Sequence, residues 1–214
     1  MNNADLWYNR WFLDPLFRGA YPSEIQQHLS TTNVVEPQDM AAIATPLDFA
    51  GVNYFSRLVV QATPTAMTGP MTGYAHVMPV PEASYSQMGW ETFATGLCDI
   101  LVRVHRDYHP PAIVVTENGV AFNDAAHQQG TQIPNRRRIT FLQEHIEAMQ
   151  MASQLGVPMA GYCVWTLYDN FEWIHGYHQQ FGLVAINLTT QQRIIKESGR
   201  WYAHFIATQT PETQ

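Results

Sequence analysis

The sequence has few cysteines, and their spacing suggests neither a disulfide framework nor a metal site. Cys98 and Cys163 are the two cysteines among 214 residues, and both lie in apolar runs. Because a free cysteine behaves as a small apolar side chain, we expect both thiols to be buried in the core. We therefore predict no metal, no other cofactor and a reducing cytoplasm as the location.

Positive charge and long hydrophobic runs are scarce as well. Lys and Arg number 11 against 18 Asp and Glu, which leaves a net charge of −7, and charged residues make up only 14%. An acidic chain without a basic run is a poor binder of nucleic acid. The sequence shows no apolar signal region and no stretch long enough to cross a bilayer. The composition therefore argues against nucleic acid and membranes as partners.

Aromatic residues, by contrast, are plentiful. They make up 12% of the chain and include six Trp and ten Tyr. Rings of this kind line cores and interfaces, and they also stack on the C–H faces of pyranose sugars. The composition alone therefore leaves three explanations open: a core, an interface and a sugar site.

Apolar periodicity predicts an α/β chain in which strands alternate with helices. Strands are predicted at 47–55, 112–117 and 159–165. Helices are predicted at 4–16, 96–108, 135–155 and 196–208, and irregular loops at 62–88, 123–134 and 166–182. We expect parallel βα units within one domain over 1–214, with Asn135 capping its helix. Three strands are too few to close an eight-stranded barrel.

Side chains able to do chemistry gather where the predicted strands end. The first strand ends near Asn53 and Tyr54, the second in Glu117, and the third in Trp165. Because the carboxyl ends of parallel strands meet at one rim, we expect these side chains to lie together. A carboxylate at a strand end suggests a nucleophile or a base, and a glycosidase would need a second carboxylate.

Four segments carry a resemblance to a known family. They read Asp-Phe-Ala-Gly-Val-Asn-Tyr-Phe at 48–55, Val-Thr-Glu-Asn-Gly at 115–119, Val-Trp-Thr-Leu-Tyr-Asp-Asn-Phe-Glu-Trp at 164–173 and Phe-Gly-Leu-Val at 181–184. Each alone has an ordinary explanation, such as a strand end or a core Trp. Together, in this order and spacing, the segments resemble glycoside hydrolase family 1, the β-glucosidase family. The resemblance covers only the C-terminal half of the family, and it implies a partial (β/α)8 TIM barrel of about the last three to four βα units.

The family resemblance implies a retaining β-glucosidase that acts on β-glucosides or small oligosaccharides. Glu117 would attack the anomeric carbon and form a glycosyl-enzyme. Tyr54 would donate a hydrogen bond to Glu117 and so favour its charged form.

The family resemblance also implies a sugar-binding set. Glu172 would accept hydrogen bonds from two sugar hydroxyls, because a charged carboxylate is a strong bidentate acceptor. Trp173 would donate its indole N–H to another hydroxyl, and Trp165 would stack on the sugar ring. Asn53 is either part of this site or a support for its strand end.

Other conspicuous residues have ordinary explanations. Trp90 and Glu91 are expected to be loop or packing residues. The run of Arg136, Arg137 and Arg138 is expected to form a solvated helix start, with pairing to acids elsewhere on a full barrel as the alternative.

One motif of the family is missing from this sequence. The family's acid/base glutamate lies in a Thr-x-Asn-Glu-Pro segment, and no Asn-Glu-Pro occurs here. We expect a truncated gene, a fragment or a compact natural variant that turns over substrates with good leaving groups and cleaves disaccharides poorly. Glu82, Glu91 and Asp124 are weak candidates for a replacement acid.

Two other functions remain open at this point. The chain could be a catalytically crippled half-barrel that only binds sugar, or a half that works only with a complementary N-terminal half. Open edges of parallel strands favour association. We therefore expect a homo-oligomer or a complex with such a complementary half.

Overall fold

The structure, a computed structural model, describes residues 3–29, 35–36, 38–61, 76–77, 79–124 and 132–209. Its helices are α1 (Asn3–Asp5), α2 (Trp11–Arg18), α3 (Ser23–Leu29), α4 (Asp39–Ile43), α5 (Ala94–Tyr108), α6 (Arg136–Gln154) and α7 (Glu197–Gln209). Its strands are β1 (Ala50–Tyr54), β2 (Val60–Gln61), β3 (His76–Val77), β4 (Ile113–Asn118), β5 (Met159–Val164), β6 (Val184–Ile186) and β7 (Arg193–Ile195). A π-helical stretch, Leu6–Arg10, joins α1 to α2, and a 3-10 turn covers Trp173–His175. None of the helices in these ranges is long and apolar enough to cross a membrane.

The predicted strands and long helices are confirmed, with bounds that shift by a few residues. The strands are β1, β4 and β5, and the helices are α5, α6 and α7 together with the helical segment at the start of the chain. Two short antiparallel pairs, β2 with β3 and β6 with β7, were not predicted. Strands of two or three residues carry too little alternation to be recognised. The predicted loop residues 62–75 and 125–131 lie outside the described ranges.

The chain divides into two compact units. One takes residues from 1–48, 58–81 and 104–111, and the other from 49–57, 82–103 and 112–214. The single domain over 1–214 stays a prediction.

In the first unit, a buried carboxylate organises the helices. Asp14 is 3% exposed and accepts hydrogen bonds from Arg10 Nη2 at 2.7 Å and from the Tyr108 hydroxyl at 2.6 Å. The Phe17 ring packs on the Tyr108 ring, with centroids 5.4 Å apart. Helix α2 ends at Gly19, whose φ of 66° is the left-handed conformation that glycine adopts without strain. The predicted aromatic helix is therefore held by one acid on its inner side.

The second unit contains a parallel sheet with the order β1-β4-β5. Its apolar core lies between the loop that follows β4, helix α6 and the segment before β6. The buried members are Val120, Phe122, Phe141, Leu142 and Leu183. Helix α7 adds the half-buried Trp201 and Tyr202. As predicted, α5 and α6 bury an apolar stripe at helical spacing.

Within the described ranges, one face of this sheet carries exposed residues. Gly51, Asn53 and Cys163 are exposed, although they lie on strands whose other residues are largely buried or half-buried. Cys98 is buried as predicted, but the prediction of a buried Cys163 is wrong. Parallel sheets are ordinarily covered on both faces. The apolar neighbours of Cys163 in the sequence are typical of a strand that is packed on both faces. The described residues pack against only one of these faces.

Asn135 takes the predicted N-cap position of α6, but its side chain does not act as the cap. Its side chain makes no capping hydrogen bond to the first turn of α6. Instead, Asn135 Nδ2 donates to Ser198 Oγ at 2.9 Å, and the Ser198 N–H donates to Asn135 Oδ1 at 2.8 Å. The side chain therefore ties the start of α6 to the start of α7, a contact between distant segments that local capping preferences do not indicate.

One buried amide joins all three strands of the sheet. Asn118, which is 0% exposed, donates from Nδ2 to the Tyr54 carbonyl oxygen at the end of β1, at 2.7 Å. Its Oδ1 accepts a hydrogen bond from the Tyr162 hydroxyl of β5. Burial raises the pKa of Tyr162, so this hydroxyl keeps its proton. The end of β4 is thereby tied to both neighbouring strands by a single side chain.

We expect Asn118→Ala to lower the free energy of unfolding by about 2–4 kcal/mol, because two hydrogen bonds are lost and buried polar partners are left unsatisfied. Asn123→Ala, at an exposed position in the following loop, is the matched control and should change it by less than about 0.5 kcal/mol. Urea unfolding followed by tryptophan fluorescence measures both. Equal midpoints for the two variants would contradict the role of Asn118.

His145 is buried on α6, and its ring stacks on the Phe141 ring with centroids 3.8 Å apart. Burial lowers the pKa of His145 to about 4, against about 6.5 in an unfolded chain. The unfolded state therefore takes up a proton first as the pH falls. Stability from this residue is complete above pH 6.5 and is lost between pH 6.5 and 4, by about 3 kcal/mol in total.

Urea unfolding at several pH values checks this expectation. The wild-type chain should lose about 3 kcal/mol more than His145→Gln over that interval, because the carboxylates titrate alike in both proteins. Parallel pH curves for the two proteins would show that His145 is not buried as a neutral ring.

Candidate active site

The strand ends that carry Asn53, Tyr54, Glu117 and Trp165 lie side by side in the sheet. In the β1–β4 ladder, Asn53 lies opposite Glu117 and Tyr54 lies opposite Asn118. The β4–β5 ladder ends with Asn118 opposite Val164, and the Trp165 N–H donates to the Asn118 carbonyl oxygen at 2.8 Å. The ends of all three strands therefore form one edge, as predicted from the sequence.

Glu117 is half-buried at this edge. In the part of the chain that the structure describes, its carboxylate has neither a hydrogen bond nor an ion pair. The preceding Thr116 donates its hydroxyl to Asn53 Oδ1 at 2.7 Å. This contact supports the end of β1 and leaves Asn53 on the exposed face of the sheet. The Glu117 carboxylate at this edge therefore has no hydrogen-bonding or ionic partner among the described residues.

The predicted hydrogen bond from Tyr54 to Glu117 is wrong. The Tyr54 hydroxyl donates instead to the Phe93 carbonyl oxygen at 2.6 Å. Tyr54 is 8% exposed, and burial raises its pKa, so the hydroxyl stays protonated. Side chains alternate along a strand, so Tyr54 points away from the face that carries Asn53. The one-dimensional motif could not indicate which face it takes.

The loop after β5 holds Glu172, the predicted sugar ligand. Glu172 is 9% exposed, accepts a hydrogen bond from Asn170 Nδ2 at 2.9 Å, and donates its N–H to the Gly176 carbonyl oxygen at 2.7 Å. Trp173 follows it and is 78% exposed. Trp165 is half-buried, and the peptide bond that follows it is cis. The loop therefore holds the Glu172 carboxylate by a hydrogen bond and leaves the Trp173 indole exposed to solvent.

Two of the three candidate replacement acids are already occupied. Glu91 receives Arg57 Nε at 2.8 Å and Nη2 at 2.9 Å, a bidentate pair. Asp124 is 2% exposed and pairs with Arg138 and Lys196. Both carboxylates are therefore engaged in ion pairs within the protein. Glu82 lies on an exposed turn with a φ of 65°, and no described contact links it to Glu117.

The expectation of a solvated arginine run is wrong for Arg138. This side chain is 1% exposed and donates to the Val120 and Phe181 carbonyl oxygens and to Asp124. Arg136 and Arg137 are exposed as predicted. Helical periodicity was the available signal, because Arg138 shares the inward stripe with Leu142 and His145 on α6.

Packing around Trp90 agrees with the expectation of a packing residue. Its ring contacts Phe55 and Phe181, with centroids 5.6 and 6.3 Å away. Across the described ranges, no group of three or more His, Cys, Asp or Glu side chains is close enough to hold a metal ion. The chemistry available at the strand ends is therefore that of carboxylates, amides and aromatic rings.

The strand order β1-β4-β5 with a carboxylate at the end of β4 fits the class of α/β barrels, in which functional side chains lie at the carboxyl ends of parallel strands. The structure has the form of a partial α/β barrel. The model of the family described as Glycosyl hydrolase family 1 matches residues 1–211, and the chain belongs to that family.

The relatives of this chain are longer. Beta-glucosidase A of Thermotoga maritima is 38% identical over 91% of this chain and 42% of its own length. A bifunctional beta-D-glucosidase/beta-D-fucosidase of Bifidobacterium breve is 36% identical over 97% of this chain and 48% of its own length. The chain thus spans less than half the length of these relatives.

Solved structures agree with the fold. The GH1 beta-glucosidase of Exiguobacterium antarcticum B7 superposes with a TM-score of 0.86 at 35% identity, over 96% of this chain and 45% of that one. The Thermotoga maritima beta-glucosidase in complex with castanospermine superposes with a TM-score of 0.84 at 34% identity, over 98% and 46%.

Gly119, just after β4, allows a close approach to Trp165, just after β5. A Cβ atom there would overlap the Trp165 carbonyl oxygen, whereas a Cβ at Gly161 would meet Val114 at an ordinary 3.4 Å. We expect Gly119→Ala to lower the thermal midpoint by more than 10 °C, since backbone must move, and Gly161→Ala to change it by only a few degrees. Differential scanning fluorimetry measures both. A tolerated Gly119→Ala would mean that Trp165 does not lie against the end of β4.

Proposed function

We propose that this chain carries the nucleophile and the glycone-binding side of a retaining β-glucosidase site. Glu117 is the nucleophile that attacks the anomeric carbon and forms a covalent glycosyl-enzyme, which water then hydrolyses. Glu172 accepts hydrogen bonds from two sugar hydroxyls, and Trp173 and Trp165 supply an indole N–H and a stacking surface. Asn53, whose Oδ1 is taken by Thr116, keeps an amide group for the same edge.

The observation that carries this proposal is the uncommitted carboxylate of Glu117. Asp124 and Glu91 are engaged by cations, and Glu172 is held by Asn170. Glu117 alone among these acids has no partner in the described ranges. A nucleophilic carboxylate must keep its lone pairs available for the substrate, whereas a structural carboxylate is satisfied by the protein.

Leaving-group protonation is the weak step of the proposed reaction. The 214 residues contain no Asn-Glu-Pro motif, and two of the three candidate acids are paired with cations. General acid catalysis contributes about 10²–10⁴-fold. We therefore propose turnover of aryl glucosides with good leaving groups, and efficient cleavage of disaccharides only when another polypeptide supplies the acid.

The uncovered sheet indicates where such a polypeptide would bind. Strands β1 and β5 pair only with β4 within the described ranges, so their outer edges are open. The loop after β5 exposes the large apolar side chains of Leu167, Phe171 and Ile174. Exposed apolar surface beside open strand edges favours association. A second copy of the chain and a complementary N-terminal half of the barrel are the two partners that we propose.

A second function, sugar binding without turnover, is favoured by the ion pairing of Glu91 and Asp124, two of the three candidate acids. Glu172 and Trp173 would still hold a glucose-like ligand, although weakly because part of the pocket wall is lacking. Binding of castanospermine in a calorimeter, with no nitrophenol released from an aryl glucoside, would select this function over hydrolysis.

The test of the main proposal is an assay with 4-nitrophenyl β-glucoside. Glu117→Gln keeps the size of the side chain and removes the nucleophile, so turnover should fall to the uncatalysed background. Glu144→Gln, at an exposed position on α6, is the matched control and should stay within about twofold of wild type. Unchanged turnover in Glu117→Gln would refute the assignment. Light scattering on the same sample should give a mass above the 24.3 kDa of one chain.

A further inference from the structure

A buried lysine connects the loop that follows β4 with the loop that follows β5. Lys196 is 0% exposed, and its Nζ donates to Asp124 Oδ2 at 2.8 Å and to Asp169 Oδ1 at 2.8 Å. Asp124 belongs to the loop that follows Glu117, and Asp169 precedes Glu172 in the loop after β5. One ammonium group therefore contacts both loops.

Each partner of Lys196 is held by further contacts. Asp169 Oδ1 also accepts the Gly182 N–H at 2.8 Å, and the Asp169 N–H donates to the Val184 carbonyl oxygen at 3.0 Å. Asp124 Oδ2 also receives Arg138. The Lys196 N–H donates to the Leu183 carbonyl oxygen at 2.9 Å. The ammonium group is thus fixed by its own backbone, and it fixes two carboxylates in turn.

Stability alone does not account for this arrangement. Removing charges from water is costly, and a buried ion pair is often no more stabilising than apolar side chains of the same volume. What a central cation does provide is a fixed separation of two carboxylates that would otherwise repel each other. The property that such a cluster controls is therefore the distance between the two carboxylates.

The surroundings of the cluster leave room for movement. A cavity of about 230 Å³ is lined by Asp124, Asp169 and Lys196, together with polar side chains such as Asn187 and Gln192. Without the lysine, the two loops have space to separate. A fully packed cluster would instead remain in place.

We propose that Lys196 is a positioning residue that sets the distance between the loop after β4, which follows Glu117, and the loop after β5, which carries Glu172, an inference that rests on the proposed function. Nucleophilic attack requires the sugar, held by Glu172, to lie correctly over Glu117. A displacement of about 1 Å can cost about 10²-fold in rate. Lys196 touches neither sugar nor Glu117 and acts only through Asp124 and Asp169.

The experiment compares Lys196→Met, Asp169→Asn and the control Asp14→Asn. Asp169→Asn keeps an acceptor for the Gly182 N–H and removes only the charge, so it serves wherever Lys196→Met does not fold. Asp14 is a similarly buried, ion-paired aspartate in the other compact unit. Hydrogen exchange by mass spectrometry, the Kd for castanospermine, and KM and kcat for 4-nitrophenyl β-glucoside are measured together with the thermal midpoint.

The expected result separates the variants. Lys196→Met and Asp169→Asn should speed exchange in 119–124 and 166–173 more than in 139–152. Both should raise the Kd and KM by about tenfold or more, and Lys196→Met should also lower kcat by about tenfold or more. Asp14→Asn should lower the thermal midpoint and leave Kd, KM and kcat within about twofold.

Unchanged exchange in both loops, or unchanged Kd and KM in folded variants that merely melt earlier, would overturn the positioning role. A wild-type chain that neither binds castanospermine nor releases nitrophenol would instead overturn the proposed function. In that case the exchange data alone decide whether Lys196 holds the two loops together.

Discussion

The buried side chain of Asn118 is the contact on which the site depends. Hydrogen bonds to the Tyr54 carbonyl oxygen and from the Tyr162 hydroxyl join the ends of three parallel strands through one amide. An amide can donate and accept at once, which neither a carboxylate nor an apolar residue of this size can do. Glu117 immediately precedes it, so the rigidity of Asn118 fixes the backbone that presents the proposed nucleophile.

A different device holds the loops beyond the strand ends. Arg138 and Lys196 pair with Asp124, and Lys196 also pairs with Asp169, in a largely buried cluster. The acids of this region thus divide into two kinds: those that the protein satisfies and Glu117, which it leaves open in the described ranges. The contacts of each carboxylate therefore distinguish the structural acids from the proposed nucleophile. Residue type alone does not, because all of these residues are Asp or Glu.

The exposed face of the sheet agrees with the short length of the chain relative to its relatives. A parallel sheet normally has both faces packed, yet Gly51, Asn53 and Cys163 are exposed here. Relatives of the chain are more than twice as long, and the matched solved structures are covered to less than half. The proposed sugar site and the proposed association surface therefore lie on the same sheet. Its exposed residues would face a sugar at the strand ends and a partner polypeptide elsewhere.

Local pattern determined the α/β alternation, the three main strands and the position of Glu117 at a strand end, because periodicity and turn residues act between neighbours in sequence. Only the tertiary structure decided the partner of Tyr54, the exposure of Cys163 and the bridging role of Asn118. Each of these depends on which face a side chain takes and on which distant segment covers it. Such pairing is set by the packing of the whole sheet, and no short stretch of sequence encodes it.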